Sequence, residues 1–93
     1  MQDVMDETAV LARTRAFVEE SFLYMRPRFV LGDDDRLFEK GVIDSMGVLE
    51  LIGFLEPAFG VTVTDEEINE HNLGSLADIA RYVASRHRND AAA

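Results

Sequence analysis

The 93-residue sequence contains no cysteine and no tryptophan, has only two prolines, and carries half as many basic residues as acidic ones. Without cysteine there is no disulfide and no thiolate metal site, and nothing points to an oxidising compartment. No cationic segment followed by an apolar run stands near the N-terminus, so no signal peptide is expected. No apolar run approaches the length of a membrane span, so no membrane partner is expected and the cytoplasm is the default location. The balance of 18 acidic to 9 basic residues gives a net charge of −9. That excess argues against nucleic acid, which needs a basic face, and suits partners with basic patches. The two histidines, His71 and His87, lack a supporting ligand pattern, so no metal is expected. Asp33-Asp34-Asp35 lacks the spaced ligands and distal glutamate of a calcium loop and reads as a solvated charge run.

What the chain does have is 47% hydrophobic residues, enough to pack a small core. The length fits one domain, residues 1–93, with a core over about 8–88, frayed ends, and a monomeric state. Helical spacing runs from Thr8 to Met25, through Val10, Thr14, Phe17, Val18, Ser21 and Met25, with Leu11 and Phe22 widening the stripe. Pro27 forces a stop near Arg26. A long loop follows to Asp44, in which Arg36-Leu37-Phe38-Glu39 forms a single turn that plugs Leu37 and Phe38 into the core. The basic spot Arg26-Pro27-Arg28 could touch acidic residues of this loop. A second helix spans Ser45–Phe59. Val61-Thr62-Val63 is β-branched but too short to make a sheet alone. Thr64 or Asp65 caps a short helix from Glu66 to about Glu70, and Asn72 and Gly74 break it. Ser75 caps a last helix from Leu76 to about Arg88, with Leu76, Ile79, Ala80 and Val83 as its apolar stripe. The fold expected is all-α: a four-helix bundle of three longer helices and one short one, with a long first loop.

The second helix is the most informative segment. On a helical wheel Val48, Leu51, Ile52, Leu55 and Phe59 share one side, an ordinary core face. Met46, Leu49 and Gly53 fall opposite, rimmed by Glu50 and Glu56, and Phe54 lies at the border. An outer face that is partly apolar, small in the middle and acid-rimmed suits docking to a partner. Scattered exposed apolar residues explain it equally well. Pro57 removes the hydrogen bond to the Gly53 carbonyl, which predicts a kink or an early loosening of the last turn.

At the start of that helix stands Gly41-Val42-Ile43-Asp44-Ser45-Met46-Gly47. Val42 and Ile43 anchor the end of the loop. Asp44 or Ser45 can serve as a simple N-cap. Alternatively, Ser45 presents its hydroxyl outward at a helix start, where a phosphodiester is electrostatically tolerated. No histidine or lysine is adjacent to activate Ser45 as a nucleophile, and the surrounding pattern is not Gly-x-Ser-x-Gly. An exposed serine without a resident base fits the substrate of a modifying enzyme better than a small hydrolase.

Asp44-Ser45-Met46 resembles the Asp-Ser-Leu/Met signature of acyl and peptidyl carrier proteins. The resemblance continues in register through Leu37-Phe38-x-x-Gly41, Glu50-Leu51, Phe59-Gly60-Val61, Asp65-Glu66-Glu67, Leu73 and Ser75-Leu76, covering residues 8–88. It implies an acyl-carrier-type bundle that catalyses nothing itself. It implies that Ser45 receives 4′-phosphopantetheine from coenzyme A on a phosphopantetheinyl transferase, and that the arm's thiol carries acyl or aminoacyl thioesters. It implies that Met46, Leu49 and Gly53, with Asp44, Glu50 and Glu56, form the docking face. Gly-x-x-Asp-Ser-Met-Gly is similar to free-standing D-alanyl and aminoacyl carriers, whereas Thr64–Ser75 departs from the D-alanyl type. Fatty-acid carriers usually have a more acidic second helix. The expected partner is therefore an adenylating acyl or aminoacyl ligase, or a synthase enzyme, in peptide or polyketide-like secondary metabolism, with fatty-acid synthesis as the other branch. The rival function is an unmodified acidic helical adaptor.

Overall fold

The computed structural model describes residues 6–92, with side chains from Asp6 to His87. It contains four α-helices: α1 Glu7–Phe22, α2 Ser45–Phe59, α3 Glu70–Leu73 and α4 Leu76–Ala92. The described residues include no strand, so the all-α reading holds. α1 packs chiefly on α4 and also on α2, while the short α3 leans on α4. The expected fraying of the first few residues and of Ala93 falls outside the described residues, as does the side chain of Arg88. α4 runs to Ala92 rather than ending at about Arg88.

Each helix starts where a side chain replaces a missing backbone partner. Asp6 Oδ1 accepts the Thr8 N–H at 3.0 Å, Asp44 Oδ1 accepts that of Gly47 at 2.8 Å, and Ser75 Oγ accepts that of Asp78 at 3.1 Å. Such caps are worth about 0.5–2 kcal/mol each. The core is then built by i, i+4 rows: Val10, Thr14 and Val18 on α1, Leu51, Leu55 and Phe59 on α2, and Leu76, Ile79, Ala80 and Val83 on α4. Phe17 and Phe54 stack with centroids 4.4 Å apart, and Phe54 meets Phe59 edge-on at 5.7 Å. Phe54, the border residue of the wheel, thus faces α1.

Besides the end of α4, three local features differ from the sequence expectation. α1 ends at Phe22, not Met25: the Leu23 N–H closes back on the Glu19 carbonyl, and two tight turns then follow. Tyr24 and Met25 are left exposed, so Met25 is no part of the stripe. The expected helix Glu66–Glu70 is split. Asp65–Glu67 forms a single 3₁₀ turn, Ile68 leaves helical geometry, and Asn69 caps a new helix by accepting the Asn72 N–H at 2.9 Å. A side chain that competes for local backbone groups restarts the helix where the apolar pattern alone showed one segment. At Arg36–Glu39 the turn forms, with Lys40 N–H bonded to Arg36 O at 2.9 Å. It buries Leu37 completely and leaves Phe38 45% exposed, so only one of the two plugs the core.

α2 runs through Pro57 to Phe59 without loosening early, and ends at Gly60. That residue adopts the left-handed conformation at φ 67° and bonds back to Glu56 O at 2.9 Å. Val61 and Val63 are buried without strand pairing. The Val63 N–H is satisfied by the Glu56 carboxylate at 3.0 Å instead.

The long loop is tied down at its far end. The Leu37 N–H donates to Gly74 O at 2.9 Å, and the Ala77 N–H donates to Asp33 O at 2.9 Å. Arg36 donates to the Glu70 carboxylate from Nε and Nη2 (3.1 and 2.7 Å), and from Nη1 to Asp78 at 2.9 Å. Hydrogen bonds that Arg36 donates to Glu70 and then to Asp78 raise its pKa above the ordinary value. Burial pushes the Asp78 carboxyl up, but hydrogen bonds from Arg81, Arg36 and Ser75 outweigh it and hold Asp78 below the usual carboxylate range. A Cβ on Gly74 would collide with the Arg36 guanidinium and with the Glu70 carbonyl oxygen, so the close approach of both requires glycine there. Arg15, from α1, pairs with Asp33 and donates to Leu31 O. The acidic loop is thus held by Arg15 and Arg36, not by the Arg26-Pro27-Arg28 spot.

Candidate functional site

The start of α2 is positioned by its neighbours. Val42 and Ile43 are buried, and the Val42 and Ile43 N–H groups both reach the Leu37 carbonyl (2.9 and 3.3 Å). Gly41 turns the chain at φ 70°. Gly47 lies in the first turn, where an added Cβ would stand 2.6 Å from Ile43 Cγ1 and 3.1 Å from Phe22 Cε1. That close approach explains the glycine after the serine motif: it lets α2 settle onto the end of α1.

Of the two cap candidates, Asp44 does the capping. Ser45 is the first helical residue, exposed, and its hydroxyl has no hydrogen-bond partner among the described residues. It therefore has no base to activate it, unlike a catalytic serine. It opens into a cavity of about 410 Å³ lined by Phe22, Phe38, Gly41, Val42, Ile43, Asp44 and Ser45. A chain attached at this hydroxyl meets no steric obstacle from a capping role, and the first turn of α2 offers unpaired backbone N–H groups to a phosphodiester. The residues present therefore fit a phosphodiester-linked arm.

The sequence-predicted docking residues are placed unequally. Met46 is 70% and Leu49 61% exposed, far above the exposure of the core face. Gly53 is open, with nothing within 4 Å of an added Cβ, and Glu50 is exposed. Glu56 is turned inward to Val63, as described above, and contributes to the fold. Phe38 and Ile68 extend the apolar surface, and with Val48, Asn69, Glu70 and Leu73 they line a second hollow of about 150 Å³ between α2 and α3. Phe22 and Phe38 were missed as site residues, since helical spacing assigned Phe22 to the core and the loop turn at Arg36–Glu39 was expected to bury Phe38. His71 and His87 join no group of potential ligands, and the described residues contain no cluster able to hold a metal ion. No helix among the described residues is long and apolar enough to cross a membrane.

Comparison with known proteins agrees with this geometry. The family described as the phosphopantetheine attachment site matches residues 21–83. The D-alanyl carrier proteins of Streptococcus pyogenes serotype M5 (strain Manfredo) and serotype M1 are each 31% identical over 71 residues, covering 71% of this chain and 90% of their own length.

Proposed function

This chain belongs to the phosphopantetheine-attachment family of free-standing carrier proteins, and on that premise we propose that Ser45 is the residue that bears the arm. Members of the family are non-catalytic and carry covalently attached 4′-phosphopantetheine, whose thiol holds cargo as a thioester. The observation that carries the assignment is the division of labour at the start of α2: Asp44 takes the capping role and leaves the Ser45 hydroxyl exposed and unpartnered. In the attachment step Ser45 Oγ forms a bond to the phosphorus nearest the pantetheine in coenzyme A. The bond from that phosphorus to the nucleotide phosphate breaks, and the hydroxyl proton leaves to a base of a phosphopantetheinyl transferase.

The cargo in this reading is an aminoacyl or short acyl group delivered by an adenylating ligase. The relatives named D-alanyl carriers support the aminoacyl class. The chain then acts as one cytoplasmic carrier domain that presents Met46, Leu49 and Gly53, flanked by Asp44 and Glu50, to its enzymes. Exposed apolar residues at the centre of a patch with a charged rim are what a transient interface requires.

Intact-mass analysis after incubation with coenzyme A and a broad-specificity phosphopantetheinyl transferase tests the assignment. Wild type should gain the mass of one arm and Ser45→Ala none, with both equally folded. An unmodified wild type would favour the adaptor function, and modification of Ser45→Ala would move the attachment elsewhere.

A further inference from the structure

The chain carries net charge −9, yet its cations are not evenly neutralised. Arg15, Arg36, Arg81 and Arg86 each pair with carboxylates, and Arg13 lies over the Phe59 ring. Arg26, Arg28 and Lys40 are exposed and have no carboxylate partner among the described residues. All three belong to the loop that leads to Ser45.

Arg26 is also oriented. Its guanidinium lies 4.3 Å from the centroid of Phe29, and Nη1 donates to the Gly41 carbonyl at 3.3 Å. Gly41 and Ser45 line the same open cavity, and Lys40 immediately precedes Gly41. A guanidinium has five N–H donors in a planar fork, and the bond to Gly41 engages one nitrogen. The remaining donors suit phosphate oxygens. Asp44 is the carboxylate beside Ser45, so an anion attached there meets like charge on one side. Arg26 does not line the cavity itself, but its bond to the Gly41 carbonyl brings a cation to the cavity's edge that can offset this charge.

We infer that Arg26, with Lys40 beside it, holds the phosphodiester monoanion of a Ser45-linked arm at the rim of this cavity and so fixes the direction in which the arm leaves. The inference rests on Ser45 as the attachment point. The interaction is exposed and therefore sensitive to salt.

The test is ³¹P NMR of the arm-bearing protein, with intact mass recorded on the same samples. The phosphodiester resonance of wild type should be displaced from its position in the urea-unfolded protein, and added sodium chloride should reduce the displacement. Arg26→Gln should remove most of it, and Arg26→Lys should retain more. Arg28→Gln, the same charge change on the same loop without a bond to Gly41, should leave it in place. A resonance unchanged by Arg26→Gln in fully modified, folded protein overturns this role alone. An equal effect of Arg28→Gln also overturns it, because bulk charge would then suffice. Absence of the arm's mass from wild type overturns the attachment at Ser45 and this role together.

Discussion

The two ends of the long loop between α1 and α2 are built on opposite terms. Around Arg36 the groups are partnered: Arg36 joins Glu70 and Asp78, and Gly74 receives the Leu37 N–H. Around Ser45 the groups are left open: an unpartnered hydroxyl, unpaired cations, and exposed Phe38, Met46 and Leu49. The contrast separates what keeps the bundle folded from what meets other molecules. A region whose hydrogen bonds are satisfied internally resists change, and one whose groups are unmet can bind without first breaking anything.

The largest expected effect lies at the satisfied end. Gly74→Ala forces Arg36 out of its position and crowds the Glu70 carbonyl, and overpacking of this kind costs about 1–3 kcal/mol. A lowered urea midpoint with normal arm attachment is the expected outcome. An unchanged midpoint would mean that Arg36 adds little to holding the loop.

A smaller effect is expected from acid. Asp78 has its folded pKa held below the unfolded carboxylate value of about 3.9. Its contribution is therefore fully present above about pH 4 and is lost as pH falls through the folded pKa. Glu67 behaves alike, chiefly through the Thr64 N–H, with burial opposing and Tyr82 assisting. Urea midpoints for Asp78→Asn should sit below wild type at neutral pH and converge with it in acid. Parallel curves at all pH values would contradict this.

The smallest effect on stability, and a large one on function, is expected at the open end. Met46→Glu changes an exposed side chain and should alter stability by no more than about 0.5 kcal/mol. It should nevertheless weaken loading by partner enzymes markedly, read as a rise in KM for the carrier. Equal losses in melting temperature and loading would place Met46 in the core and erase the distinction between the two ends.

Much of this arrangement was legible in the sequence. Helical spacing found the buried rows of α2 and α4 and separated Met46 and Leu49 from them, because a helix repeats its faces regularly and burial follows that repeat. Ser75 as a cap was legible for a related reason: a short polar side chain ahead of an apolar stripe has one local use. Arg36 as a hub was not legible. Its partners Glu70 and Asp78 lie 34 and 42 residues away, and no local pattern encodes a contact at that separation. The split at Asn69 escaped notice because one side-chain bond decided it.

The sequence by itself determined the helices, their core faces and the serine motif, since each depends on residues a few positions apart. Only the tertiary structure decided that Glu56 turns inward to Val63, that Phe38 stays at the surface, and that Arg26 reaches Gly41. Those outcomes depend on which groups the folded chain brings within bonding distance, and a hydrogen bond is gained or lost over about an ångström.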